Sequence, residues 1–135
     1  MNWTLEVVVV PVTDIDRAKA FYEGGLGFHV DHDVQTGSGR IVQLTPPGSG
    51  CSIVLGPQPA RMPPGSLQGV QLVVNDLRAA REELRARGVA VPDIQILGGP
   101  ARPATPDDDL NHVGFLFLHD PDGNGWAVQQ ITARS

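Results

Sequence analysis

The sequence predicts an α+β fold made of two successive βαβββ units. Two observations carry that expectation. A short apolar strand followed by an Asp-capped helix occurs twice, as Val12-Thr13-Asp14-Ile15 and Val74-Asn75-Asp76-Leu77, about half a chain apart. After each helix come three stretches of strand character, separated by turns rich in Gly, Ser and Pro. Repetition of a whole supersecondary unit constrains a fold more tightly than any one propensity. The boundaries are residues 1–57 for the first repeat, 58–66 for a linker and 67–135 for the second, within one compact domain of 135 residues.

Leu5 to Val12 is a valine-rich run, too short for a helix and suited to a buried strand. Thr13 or Asp14 offers an N-cap, and Ile15, Ala18, Phe21 and Tyr22 then share one helical face. Gly24, Gly25 and Gly27 stop that helix. Strands follow at Phe28 to Val34, Arg40 to Thr45 and Cys51 to Leu55. The Pro- and Gly-rich stretch Gly56 to Ser66 reads as the connector. The pattern then restarts with a strand at Val70 to Val74, a cap at Asn75 or Asp76, and a helix carrying Leu77, Ala80, Leu84 and Arg87 up to Gly88. Strands are expected at Val89 to Leu97, Val113 to Leu118 and Trp126 to Ile131, the last after the turn Asp120-Pro121-Asp122-Gly123-Asn124. Gly98 to Asn111, with Asp107-Asp108-Asp109, fits no element and reads as a long solvated loop.

Composition narrows the partners. Hydrophobic residues make up 41% and charged residues 19%, a globular mixture with no apolar run near the roughly 20 residues that span a bilayer. Net charge is −5, and the Arg78, Arg81, Arg85 and Arg87 group is interleaved with Glu82 and Glu83 as a solvated helix face. Nucleic acid and membrane are therefore not expected partners. One cysteine, Cys51, allows no intrachain disulfide and suits a reducing, cytoplasmic setting. It reads as a buried, inert thiol.

Three blocks together resemble the glyoxalase/bleomycin resistance/dioxygenase (vicinal oxygen chelate) superfamily. They are Val12 to Tyr22 with Leu26-Gly27-Phe28, Gly69 to Leu77 with its helix, and Asp120 to Trp126. The resemblance implies two cupped sheets facing one another around a cavity. In metal-dependent members a His or Glu on the first and fourth strand of each half meets a divalent ion. Carried over position by position, those sites are Val7, Val54, Val70 and Ala127. None has a lone pair to donate, and a cation needs several N, O or S donors to replace its water shell. Shifting the alignment by one residue gives Glu6, Ile53, Gln71 and Val128, which also fails. No metal and no cofactor is expected.

The histidines show no zinc spacing. His29 and His32 are three apart, which on a regular strand puts them on opposite faces; His112 and His119 stand elsewhere. If Ala127 faces the cavity, so does Gln129. Gln129 then either meets a ligand's polar group or binds a backbone neighbour. Trp126 reads as core, and the Asp120 to Gly123 turn as structural.

Three functions remain. The first is a metal-free protein that binds a hydrophobic or aromatic small molecule in a cavity lined by Val7, Val54, Val70, Ala127, Gln129 and Gln43. Drug or natural-product sequestration, and hence antibiotic resistance, is its natural use. The alternative is a metal-independent enzyme (isomerase, lyase or cyclase) with Gln129, Gln43 or a histidine as its polar group. The third is a metal-dependent lyase or dioxygenase, against which the missing ligands argue. A homodimer is the expected assembly.

Overall fold

The structure, a computed structural model, describes residues 1–37, 39–56 and 62–132. The end of the expected first repeat, residue 57, and part of the expected linker, residues 58–61, lie outside them. The chain divides into two compact units. One is Met1–Leu67 with Asp120–Asn124; the other is Gln68–His119 with Gly125–Ser135. Each carries one sheet, and the α+β expectation stands.

In the first unit, β1 (Val7–Val10), β2 (His29–Thr36), β3 (Gly39–Thr45) and β4 (Ser52–Leu55) are ordered β1-β4-β3-β2. β1 and β4 run parallel; the other pairs are antiparallel. Period-2 alternation gives the sheet two unlike faces. Val10, Leu55, Val42, Leu44 and Ile53 are buried, as are Ala18 and Tyr22 of the helix and Phe28 after it. Strand β1 is shorter than expected. Leu5 is 70% exposed and lies outside it, and Pro11, which lacks an N–H, follows its last residue.

Asp14 caps helix α1 (Ile15–Lys19) by accepting a hydrogen bond from Arg17 N at 3.0 Å. The helix does not stay α-helical through Tyr22. It widens into a π-helical segment over Ala20–Gly25, where Leu26 N donates to Phe21 O, five residues back, at 3.0 Å.

The turn Asp120–Asn124, which joins two strands of the second unit, belongs to the first. Asp120 is buried there and accepts from Tyr22 OH (2.7 Å), Asp122 N (3.0 Å), Asn124 N (2.9 Å) and Asn124 Nδ2 (2.8 Å). Asn124 also donates to Pro11 O and accepts from Leu67 N. Asp122 accepts from Thr13 N and Oγ1. The turn is thus structural, as its residue types suggest. Gly65 meets it with φ +82°, and a Cβ there would stand 2.1 Å from Asp122 O, so only glycine fits.

The second unit holds β5 (Val70–Val74), α2 (Leu77–Ala86), β6 (Gln95–Ile96), β7 (Arg102–Pro103), β8 (Gly114–His119) and β9 (Gly125–Gln130), in sheet order β5-β9-β8-β6-β7. Asp76 caps α2 by accepting from Ala79 N at 3.0 Å, matching Asp14 in angle and role. Glu83–Arg87 and Glu82–Arg85 pair along the exposed helix face.

Two expectations need correction. The strand expected over Val89 to Leu97 is only two residues long; Pro92 has no N–H for a ladder. The loop over Gly98 to Asn111 is not featureless. It contributes β7, giving this unit one strand more than its partner repeat. Asp108 organises it, accepting from Arg102 at 2.9 and 2.8 Å and from Thr105 N at 2.7 Å. Arg78 of α2 donates to the Thr105 and Asp108 carbonyls.

Candidate functional site

Each sheet has one face packed into its core and one open face, and the expected site residues sort between them. In the first unit, Val9 pairs with Val54 and Val54 with Gln43, which pairs in turn with His32. These four form one row across the open face. Val7 pairs with Ser52, which contacts Thr45, the partner of His29. These form a second row. Val7, Val54 and Gln43 therefore share a face.

The register slips between Val30 and His32, leaving Asp31 as an extra residue in β2. This bulge overturns the expectation for the histidines. His29 and His32 pair with Thr45 and Gln43, residues two apart on β3, so both fall on the open face. The other side of the hairpin carries an ion cluster: Asp33 bonds Arg40 at 2.9 Å and Lys19 at 2.8 Å. Those partners, Arg40 first, hold the Asp33 carboxyl well below the usual carboxylate range, and Asp33 in turn raises Lys19 and, together with Asp16, Arg40.

In the second unit, Ala127 pairs with Gln71 and Phe117, and Gln129 with Val73 and Phe115. These six side chains form the open face. Val70 does not join them. It pairs with Trp126, which is buried, on the core side. A one-residue difference in register reverses the face of a strand residue, and Gln71 holds the open-face place instead.

Gln129 accepts a hydrogen bond from Gln71 Nε2 and donates to His112 O at 2.8 Å, so it makes the backbone contact that was one of the two alternatives for it. His112 itself has φ +68°, a sparsely populated angle for a residue with a Cβ. Beside this polar line, the Phe115 and Phe117 rings lie parallel, 6.0 Å apart with planes at 7°. Phe117 is 40% exposed. Sequence reading missed the pair, although the alternation Phe115-Leu116-Phe117-Leu118 signals two rings on one face.

The model of the Glyoxalase/Bleomycin resistance protein/Dioxygenase superfamily matches residues 4–128. The chain belongs to this superfamily. Among solved structures, it is 35% identical to TnmS3, an antibiotic binding protein from Streptomyces sp. CB03234, with a TM-score of 0.75 over 96% of this chain and 97% of that one. It is 36% identical to a glyoxalase/bleomycin resistance protein from the same strain, with a TM-score of 0.72 over 94% and 100% of the two chains. A superfamily member from Sphaerobacter thermophilus DSM 20745 is 25% identical, with a TM-score of 0.71 over 96% and 98%. No curated protein matches.

The side chains at the four positions that the resemblance assigns to a metal do not fit a divalent ion. Val7, Val54 and Ala127 are hydrocarbon, and Val70 lies on the core side of its sheet. The Gln71 and Gln129 amides near Ala127 are uncharged and engage each other. Among the described residues, no group of three or more His, Cys, Asp or Glu is placed to hold a metal ion. Cys51 is half-buried rather than buried, with Sγ 3.7 Å from Ser52 O.

Proposed function

We propose that this superfamily member is a metal-free binding protein for a hydrophobic or aromatic small molecule, of the drug- or natural-product-sequestering kind. The observation that carries the reading is the open face of the second unit. There two parallel phenylalanine rings stand beside Ala127 and a line of neutral amides. Flat rings pack on such a surface by offset stacking, worth about 0.5–1.5 kcal/mol per pair beyond area burial. Apolar area removed from water adds roughly 25 cal/mol per Å² before the cost of association. Neutral amides orient a ligand carbonyl or hydroxyl without imposing a charge. The antibiotic binding of TnmS3, at 35% identity, supports the same reading. In this proposal the protein works in the cytoplasm as a homodimer.

The experiment is a thermal-shift screen against polycyclic aromatic natural products, followed by mass analysis of the recovered compound. Stabilisation that rises with ligand concentration, with the compound recovered intact, is the expected result. Chemical conversion of the compound would favour the enzymatic alternative.

A further inference from the structure

We propose that Asp31, Thr45 and Ser52 form a hydrogen-bond-acceptor row, on the open face of the first unit, that recognises a donor group on a small molecule bound at that face. The donor is an ammonium or a hydroxyl. The inference rests on the small-molecule reading above and names a chemical feature that the first unit's own face would select.

Proton counting sets the direction of the row. The Thr45 hydroxyl has one proton and donates it to Asp31 Oδ2. The 2.6 Å contact between Thr45 Oγ1 and Ser52 Oγ must then be a donation by Ser52. Both hydroxyl protons are directed along the row toward the carboxylate. Ser52 itself is buried, so what the row offers outward is an acceptor only: the second carboxylate oxygen of Asp31. Among the described residues, Asp31 Oδ1 accepts no hydrogen bond; the nearest basic group is His29 Nε2 at 3.8 Å. Lys19 and Arg40 are engaged by Asp33 and do not reach it.

The backbone places this carboxylate with intent that a regular strand lacks. Asp31 is the extra residue of the β2 bulge, and bulges re-aim side chains beside functional sites. Its side chain is 25% exposed, so it is open to a partner yet shielded enough for a charge-assisted bond to count. The row ends at Ser52, paired with Val7, and runs beside Val9 and Val54. An apolar ring lying on those valines would bring a substituent to Asp31.

The test uses three naphthalene probes and NMR titration of the labelled protein. They are 2-naphthylmethylammonium, 2-naphthol and 2-methoxynaphthalene, which has no donor. At least one donor probe is expected to bind wild type about tenfold more tightly than 2-methoxynaphthalene, the equivalent of one such bond. Shifts should centre on Asp31, Thr45 and Ser52. Asp31→Asn should abolish an ammonium preference. Thr45→Val should narrow a hydroxyl preference, because Ser52 regains a free proton. Melting curves of each variant confirm that it is folded, and Ser52→Ala serves where Thr45→Val is not. Equal binding of all three probes to wild type, or a preference unchanged in both Asp31→Asn and Thr45→Val, overturns the inference while leaving the small-molecule reading intact. Absence of binding by all three overturns both.

Discussion

Asp120 shows how much a single buried carboxylate can organise. It collects four hydrogen bonds, one of them from Tyr22 OH, far away in sequence. Tyr22→Phe removes that donor and leaves a buried charge less satisfied. The expected cost is about 1–3 kcal/mol, read as a lower urea midpoint at unchanged slope. Asp33 is the contrasting case, an exposed carboxylate held by Arg40 and Lys19. Its carboxyl titrates below the ordinary value in the folded chain, so the unfolded chain binds the proton first as pH falls. The stabilisation is therefore present above about pH 4 and is lost as acid protonates the folded group. The melting-temperature gap between wild type and Asp33→Asn should be open at neutral pH and close steadily toward pH 2.

At the scale of the element, strand β8 separates stability from binding. Leu116 is fully buried on the core side, while Phe117, its neighbour, is 40% exposed on the other. Leu116→Ala should cost about 2–5 kcal/mol through lost burial and a residual cavity. Phe117→Ala should leave the melt nearly unchanged and weaken binding of aromatic ligands by about fivefold or more, as one lost ring contact implies. Calorimetric melts and ligand titrations on the two variants check this together. If Leu116→Ala and Phe117→Ala destabilise equally, the open-face description of β8 is wrong.

For the whole molecule, two properties are proposed and both are measurable. The first is the absence of a metal: Val7, Val54 and Ala127, with Gln71 in the open-face place expected of Val70, supply no charged ligand, so EDTA should not lower thermal stability, and added Zn²⁺, Ni²⁺, Fe²⁺ or Mn²⁺ should confer neither glyoxalase nor ring-cleaving activity. Elemental analysis near one metal per chain, bound at those positions, would refute this. The assembly should be a homodimer, since symmetric self-association is the common state of such small proteins. A monomer mass by light scattering at micromolar concentration would count against it.

What the sequence determined by itself was everything encoded over a few neighbouring residues. Asp14 and Asp76 each bond an N–H three residues ahead, so their helix starts were legible. So were the Asp120 to Asn124 turn and Trp126 as core. Tertiary structure alone decided which face a side chain took and what it met there. Val70 falls on the core side because β5 pairs Val70 with Trp126, a register no local signal states. His29 and His32 share a face because one extra residue, Asp31, interrupts the ladder with β3. Gln129 meets Gln71, and Tyr22 meets Asp120, only after the chain has folded back on itself. Strand periodicity is fixed by local geometry, but register is set by hydrogen bonds between distant segments, and a slip of one residue exchanges the two faces.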